Sequence, residues 1–363
     1  MFLCTEFSAM KKHNFSAGPC ILPDSVMQKA AHAVQELDGS GLSLIEISHR
    51  SPAFIEIMDK ACASALDLLG LTGKGYKALF LQGGASMQFL ATAYNLLENK
   101  GAYLNTGTWA TKAIKEAKLL GEVVEVGSSA DANFNYIPKN IEVPADADYL
   151  HITTNNTIFG TQIKTLPESD AVLVSDSSSD IFSRQLDFSK FGIIYAGAQK
   201  NMGPAGTTLV IVKEDVLGKV THKIPSMLDY SIHASKDSMF NTPPVFAVYT
   251  SMLTLEWLTN LGGVSAIEEK NNAKAALMYG EIDRNPLFKG FAAMEDRSTM
   301  NATFTLEEAS LKEKFDSMCA DALINGINGH RSVGGYRASM YNALPQESVQ
   351  VLVDVMKELE RIA

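Results

Sequence analysis

A chain of 363 residues with 46% hydrophobic and 20% charged residues carries enough apolar surface to offset the entropy of ordering, and its length suggests two domains or one with a substantial appendage. The formal net charge of -10 argues against a nucleic-acid surface, which needs clustered Lys and Arg, so any anionic ligand must meet a local basic pocket. No apolar run approaches the roughly 18 residues of a spanning helix, and no secretory pattern opens the chain, so the expectation is a cytoplasmic protein without a membrane partner.

In chain order, residues 1–9 carry no clear pattern, and Met10 followed by Lys11 and Lys12 reads as a more natural start, as if an upstream start codon supplied the rest. Apolar, β-branched runs then alternate with longer helical patterns, the signature of βα units building a parallel sheet; the fold class is α/β. Buried strands are predicted over 78–81, 102–105, 123–126, 149–153, 172–175, 193–196 and 208–212. A long apolar helix follows from Pro244 to Leu261, and beyond Gly262 and Gly263 the pattern turns to charged helices and a few strand-like pieces. There, strands are predicted within 292–306, an amphipathic helix over 311–325, a strand over 334–340 and a helix after Pro345. The division is an N-terminal segment, 1–24, contributing to the small domain and the active site; a large domain, 25–262; and a small C-terminal α+β domain, 263–363. Cys4, Cys20, Cys62 and Cys319 form no CxxC pair and the histidines form no HExxH, so no metal is expected.

The most informative segment runs from the apolar strand at 193–196 through Gly197, Ala198 and Gln199 into Lys200, followed by Gly203, Pro204 and Gly206. Lys200 would project from a tight loop at a strand's carboxyl end, where open α/β sheets bind ligands. An enclosed lysine has a lowered pKa and can form an imine with an aldehyde cofactor, which is pyridoxal-phosphate chemistry; on position alone a solvated loop lysine is the simpler reading, and the neighbouring residues reverse that weighting. Asp176 ends the strand one unit upstream and suits the pyridine nitrogen, where a carboxylate keeps the ring protonated as an electron sink. As a helix N-cap it would be unremarked, but that reading leaves the companion lysine unexplained. Gly83, Gly84, Ala85 and Ser86 form a strand, Gly-rich turn, helix junction that can present amides to a phosphate, although such turns are often only structural. Trp109, after another strand end, could stack on a pyridine ring or serve as a core or interface residue.

Taken together, these residues resemble the phosphoserine aminotransferase family, pyridoxal-phosphate enzymes of class V with the aspartate aminotransferase fold type I, from about Met10 onward. The resemblance rests on Asn14-Phe15-Ser16-Ala17-Gly18-Pro19, Ser48-His49-Arg50-Ser51, Gly197-Ala198-Gln199-Lys200-Asn201, Asn241-Thr242-Pro243-Pro244 and the run from Gly329 through Arg337 to Ser339. It implies a mainly parallel large cofactor-binding domain with a smaller C-terminal domain. It implies that Lys200 binds the cofactor covalently, Asp176 pairs with the ring nitrogen, Trp109 stacks and Thr157 contacts the ring hydroxyl. Ala85, Ser86 and Gln199 would hold the phosphate, with Asn241 and Thr242 reaching it from the second subunit of a homodimer. Ser16, His49, Arg50, His330, Arg331 and Arg337 would bind substrate, Arg337 taking the α-carboxylate through its planar fork. The chain departs from some relatives at two positions: Ser86, where they carry Arg, and Asn156, where they carry Glu.

The implied reaction is a ping-pong transfer from glutamate to 3-phosphooxypyruvate, giving O-phosphoserine and 2-oxoglutarate for serine biosynthesis. The resemblance also permits the phosphorylated hydroxythreonine precursor of vitamin B6. A cysteine desulfurase of the same broad fold would need a mobile cysteine near the cofactor, and no cysteine lies in an obvious active-site loop. A non-enzymatic cofactor-binding module conflicts with having Lys200, Asp176 and several substrate-type arginines together.

Overall fold

The structure is a computed structural model that describes residues 11–363; Cys4, the alternative start at Met10 and the first part of the N-terminal segment lie outside the described residues. A short strand, β1 (His13–Asn14), precedes helices α1 (Asp24–Gln35) and α2 (Pro52–Leu68). Proline at the first position of α2 has no amide to leave unpaired, and the Ser51 hydroxyl accepts from Phe54 N. Next come β2 (Tyr76–Leu81), α3 (Gly84–Leu96), β3 (Lys100–Asn105), α4 (Thr108–Ala117), β4 (Glu122–Ser128) and β5 (Tyr149–Thr153). The two-residue strands β6 (Asn155–Asn156) and β7 (Thr161–Gln162) lead to β8 (Val172–Asp176), β9 (Phe191–Gly197), the one-turn helix α5 (Ala198–Asn201) and β10 (Thr208–Lys213). After α6 (Tyr230–Ser235), α7 (Val245–Asn260) and α8 (Gly263–Arg284) follow β11 (Phe288–Gly290), β12 (Asn301–Leu306), α9 (Lys312–Asp321), β13 (Ile324–Asn325), β14 (Tyr336–Ser339) and α10 (Gln346–Ile362).

All seven predicted strands fall in one sheet of order β2-β10-β9-β8-β5-β3-β4, but β4 lies at its edge and is only partly buried, not buried as expected. Strand alternation sorts the side chains: on β9, Ile193 and Tyr195 join the core beneath α3 and α4, whereas Ile194 and Ala196 join the core beneath α1, α2 and α7. The sheet is mainly parallel as expected, the exception being β10, which runs antiparallel to both β9 and β2. Only residues 198–207 separate β9 from β10, fewer than the dozen or so a parallel crossover requires, and they are occupied by the α5 turn.

Toward the C-terminus, a three-stranded antiparallel sheet, β11-β12-β14, packs with α8, α9 and α10 around a second apolar cluster. On α10, Val349, Leu352, Val353, Met356 and Leu359 recur at helical spacing on the buried face. The expected strands in 292–306 reduce to β12, preceded by a single turn at Met294–Asp296. The expected helix over 311–325 ends at Asp321, because Leu323 adopts φ 58 and Ile324 and Asn325 pair in parallel with His13 and Asn14. Phe15, fully buried, joins the same C-terminal cluster. Leu352 is 0% exposed in that cluster, so Leu352→Ala is expected to cost about 2–5 kcal/mol through lost burial and the cavity left behind. Urea unfolding with an unchanged midpoint would contradict the packing described.

Candidate active site

Of the residues predicted for the site, Ala85, Ser86, Trp109, Thr157, Asp176, Gln199, Lys200, His330 and Arg337 line one cavity of about 390 Å³. Parallel strands deliver several of them: β2 ends at the Gly83 turn, β3 leads to Trp109, β8 ends in Asp176 and β9 runs into α5 with Lys200. Side chains far apart in sequence therefore converge at the carboxyl edge of the sheet.

Lys200 Nζ donates to Thr157 Oγ1 at 2.8 Å and lies 5.1 Å from the Trp109 ring centroid. Burial pushes its pKa down to about 8; the Arg337 cation acts in the same sense and Asp176 opposes both. Asp176 is 4% exposed, and its Oδ1 accepts from Ser178 N at 3.0 Å and Ser178 Oγ at 2.6 Å. Burial raises its pKa, while Lys200 and Ser178 favour the carboxylate. No described residue donates to Asp176 Oδ2, which leaves an acceptor for a protonated ring nitrogen.

The turn before α3 needs glycine. Gly83 has φ 95, and a Cβ there would stand 2.6 Å from Met87 Cβ. No side chain caps α3, so the amides of its first turn, at Gly84, Ala85 and Ser86, are available to an anion. Near Trp109 the constraint is close packing: a Cβ on Gly107 would meet Asn156 Oδ1 at 2.9 Å. Asn156 Nδ2 in turn donates to Thr106 Oγ1 at 3.1 Å and Thr161 Oγ1 at 3.0 Å. The departure from Glu at this position thus places a neutral brace between two site loops, where a buried carboxylate would need a counter-charge.

Arg337, on β14, donates from Nη1 to Thr157 O at 3.4 Å, its buried Nε has no described partner, and burial lowers its pKa. A guanidinium with free donors in a cavity suits a carboxylate. His330 Nδ1 accepts from the Ser332 amide at 3.2 Å, which puts the proton of the neutral ring on Nε2. Burial, followed by Arg337, Arg331 and Lys112, lowers the His330 pKa, so the ring donates one hydrogen bond without adding charge near neutral pH.

Six expected residues do not line this cavity: Ser16, His49, Arg50, Arg331, Asn241 and Thr242. Ser16 packs against Gly326, Arg331 is exposed beside His330, and His49 and Arg50 sit in the turn before α2 with Arg50 exposed. Asn241 lines a neighbouring cavity with Gln82 and Gly83, and Gln82 Nε2 donates to Thr242 O. Ser178 is a site residue the sequence reading missed; besides holding Asp176 it accepts from Gly197 N at 3.1 Å, joining the aspartate to the strand that carries the lysine. Its signal was the run Ser177-Ser178-Ser179 directly after Asp176.

The donor set fits pyridoxal phosphate. The uncapped α3 terminus suits the phosphate, the Trp109 face a flat ring, Asp176 Oδ2 the ring nitrogen, and the lowered Lys200 amine an aldehyde. Trp109 Nε1, buried without a described partner, is a further unused donor. Among the described residues no group of three or more His, Cys, Asp or Glu side chains could hold a metal ion, and no helix is long and apolar enough to cross a membrane.

Residues 12–352 match the aminotransferase class-V family model. The chain is 66% identical over 353 residues to the phosphoserine aminotransferase of Flavobacterium psychrophilum, covering 97% of this chain and 99% of the relative. The crystal structure of phosphoserine aminotransferase from Bacillus circulans subsp. alkalophilus superposes with a TM-score of 0.94 at 41% identity, over 97% of this chain and 99% of that one. The pyridoxal-phosphate-bound enzyme from Trichomonas vaginalis gives 0.90 at 36% identity, over 96% and 100%. The chain belongs to the class-V aminotransferases and, within them, to the phosphoserine aminotransferase family.

Proposed function

We propose that this protein transfers the amino group of L-glutamate to 3-phosphooxypyruvate, giving O-phospho-L-serine and 2-oxoglutarate. The observation that carries the reading is a single cavity in which Lys200 and Asp176 face Trp109, Arg337 and the open terminus of α3. Bound pyridoxal phosphate supplies an aldehyde that accepts the amino group and a ring that accepts the electron pair left on the substrate α-carbon. Arg337 holds the α-carboxylate shared by both substrates and so orients the α-hydrogen. Lys200 Nζ would take the proton from the substrate α-carbon and deliver it to the cofactor's aldehyde carbon within the same half-reaction, and would run that transfer in reverse with the second substrate. Asp176, fixed by Ser178, keeps a proton on the ring nitrogen. His330, on the cavity wall, donates to the distal anion, and the neighbouring Arg331, outside the cavity of this chain, supplies a cation beside it.

The same reading assigns a homodimer. His49, Arg50, Asn241 and Thr242 stand outside the cavity of their own chain, yet Met87, Met227 and Phe240, 42%, 51% and 39% exposed, surround the Asn241 side of the molecule. A second copy on this face would cover the apolar side chains and bring Asn241 and Thr242 to the phosphate and His49 and Arg50 to the substrate. The division at 1–24, 25–262 and 263–363 then gives a large unit that binds cofactor and dimerises, and a small unit that brings Arg337. A desulfurase reading is disfavoured at Cys20, the cysteine nearest the lysine backbone, because burial pushes its thiol pKa up to about 12 and so removes the thiolate nucleophile.

Glutamate and O-phosphoserine are each expected to consume the cofactor absorbance band of the loaded protein, with alanine reacting little; a reaction with cysteine alone, releasing sulfide, would assign the desulfurase. 4-Phosphooxy-threonine belongs in the same series, since its rate tests the vitamin B6 substrate. Lys200→Ala is expected to lower multiple turnover by at least about 10²-fold, as a lost proton carrier does. Only the neutral amine attacks an aldehyde, so uptake of pyridoxal phosphate by cofactor-free protein is expected to rise as pH increases through about 8. Asp176→Asn removes the charge that holds that proton and is expected to move the midpoint lower; a midpoint near the ordinary 10.5 would refute the enclosed-lysine geometry. Mixing Lys200→Ala with Arg50→Ala subunits is expected to restore activity that neither homodimer shows, since one site in each mixed dimer then has both residues intact. No restoration would place Arg50 within its own subunit's site.

A further inference from the structure

Asn342 lies just beyond β14, the strand that carries Arg337, and it is 6% exposed. All of its polar groups except the carbonyl reach other parts of the chain. Its amide donates to Asn201 Oδ1 at 2.9 Å, next to Lys200 on α5. Its Nδ2 donates to Phe182 O at 2.9 Å, in the loop that follows Asp176. Its Oδ1 accepts from Asn271 Nδ2 at 2.9 Å, and Asn271 Nδ2 also donates to Ser183 O at 3.0 Å. Phe182 has φ 58, a left-handed conformation that bulky residues rarely adopt, so its carbonyl is aimed at Asn342 by a backbone that needs outside support.

Beneath this junction Lys274, 1% exposed, donates to Met340 O at 3.0 Å, Tyr341 O at 2.7 Å and Leu344 O at 3.2 Å. No carboxylate pairs with it among the described residues. Burial, followed by Lys270, pushes its pKa down to about 7, and the three carbonyls match the three N–H groups of an ammonium, against two on the neutral amine. The arrangement clamps the segment on which Asn342 sits. Tyr341 adds a tie to the N-terminal segment, donating to Ala17 O at 2.8 Å.

We propose that Asn342, braced by Asn271 and Lys274, is a positioning residue for transamination: it locks the strand bearing Arg337 to the segments bearing Lys200 and Asp176. It thereby sets the distance between the bound α-carboxylate and the amine that moves the α-proton. The proposal rests on the roles given above to Lys200 and Arg337. A displacement of about 1 Å between reacting groups costs on the order of 10²-fold in rate, whereas the same looseness far from the chemistry costs only stability.

The test compares the pyridoxal-phosphate-loaded wild type, Asn342→Ala, Lys274→Met and Leu352→Ala, the last being a buried small-cluster residue outside this network. Single-turnover rates are measured with glutamate and with O-phosphoserine, each with hydrogen and with deuterium at the α-carbon, alongside thermal unfolding. Asn342→Ala and Lys274→Met are expected to slow both substrates by one common factor, about 10- to 100-fold, and to increase the α-deuterium isotope effect. Leu352→Ala is expected to lose stability with rates and isotope effect unchanged. Should Asn342→Ala fail to fold, Asn271→Ala removes one brace only and is expected to give a smaller common slowing with the same rise in isotope effect. Isotope effects that stay at the wild-type value in the folded network variants would overturn the proposal, as would slowing confined to one substrate. If the wild type itself fails to react with either amino acid, the functional reading fails first and the positioning role with it.

Discussion

Lys200 and Asp176 share one enclosure, and desolvation acts on them in opposite directions: it drives the amine toward its neutral form and the carboxyl toward its protonated form. Each offsets part of the other's burial, since the aspartate favours the ammonium and the lysine favours the carboxylate. The rest of the site follows from maintaining that balance. Ser178 binds one carboxylate oxygen and leaves the other free, and Thr157 holds the amine without charge. A cavity open enough for water to surround the lysine would return it toward an ordinary surface amine.

The sheet makes this enclosure possible because parallel strands end together. β8 and β9 are neighbours, so the last residue of one and the turn after the other meet in space although a loop of residues 177–190 separates the strands in sequence. The close β9 to β10 return then forces the lysine out of the sheet on a single helical turn. Acidic overall charge is compatible with anionic substrates for the same local reason: Arg337, His330 and Arg331 lie together, while the negative charge is spread over the surface.

Much of the fold was legible because most of its strands are buried on both faces and read as continuous apolar runs, whereas β4, at the sheet edge, is only partly buried and was marked by its valines alone. Lys200, Asp176 and Trp109 were legible because each stands at or just beyond a strand end, where α/β chemistry is placed, whereas Thr157 entered only through the family resemblance. β13 was not, since two residues after a helix become a strand only when His13 and Asn14 arrive beside them. Ser178 was visible as part of a serine run but not as the ligand of Asp176, because a hydroxyl's partner depends on a rotamer. The same holds for Asn342, whose three partners come from distant segments.

From the sequence alone came the order of strands and helices, the cofactor-type lysine and aspartate, and the motifs of the family, all properties of local pattern and residue type. Tertiary structure alone decided which side chains share the 390 Å³ cavity, which predicted residues stand outside it, and how far the lysine amine is shifted. Those depend on distances between segments far apart in the chain and on the water that their packing excludes, and neither quantity is carried by any one stretch of residues.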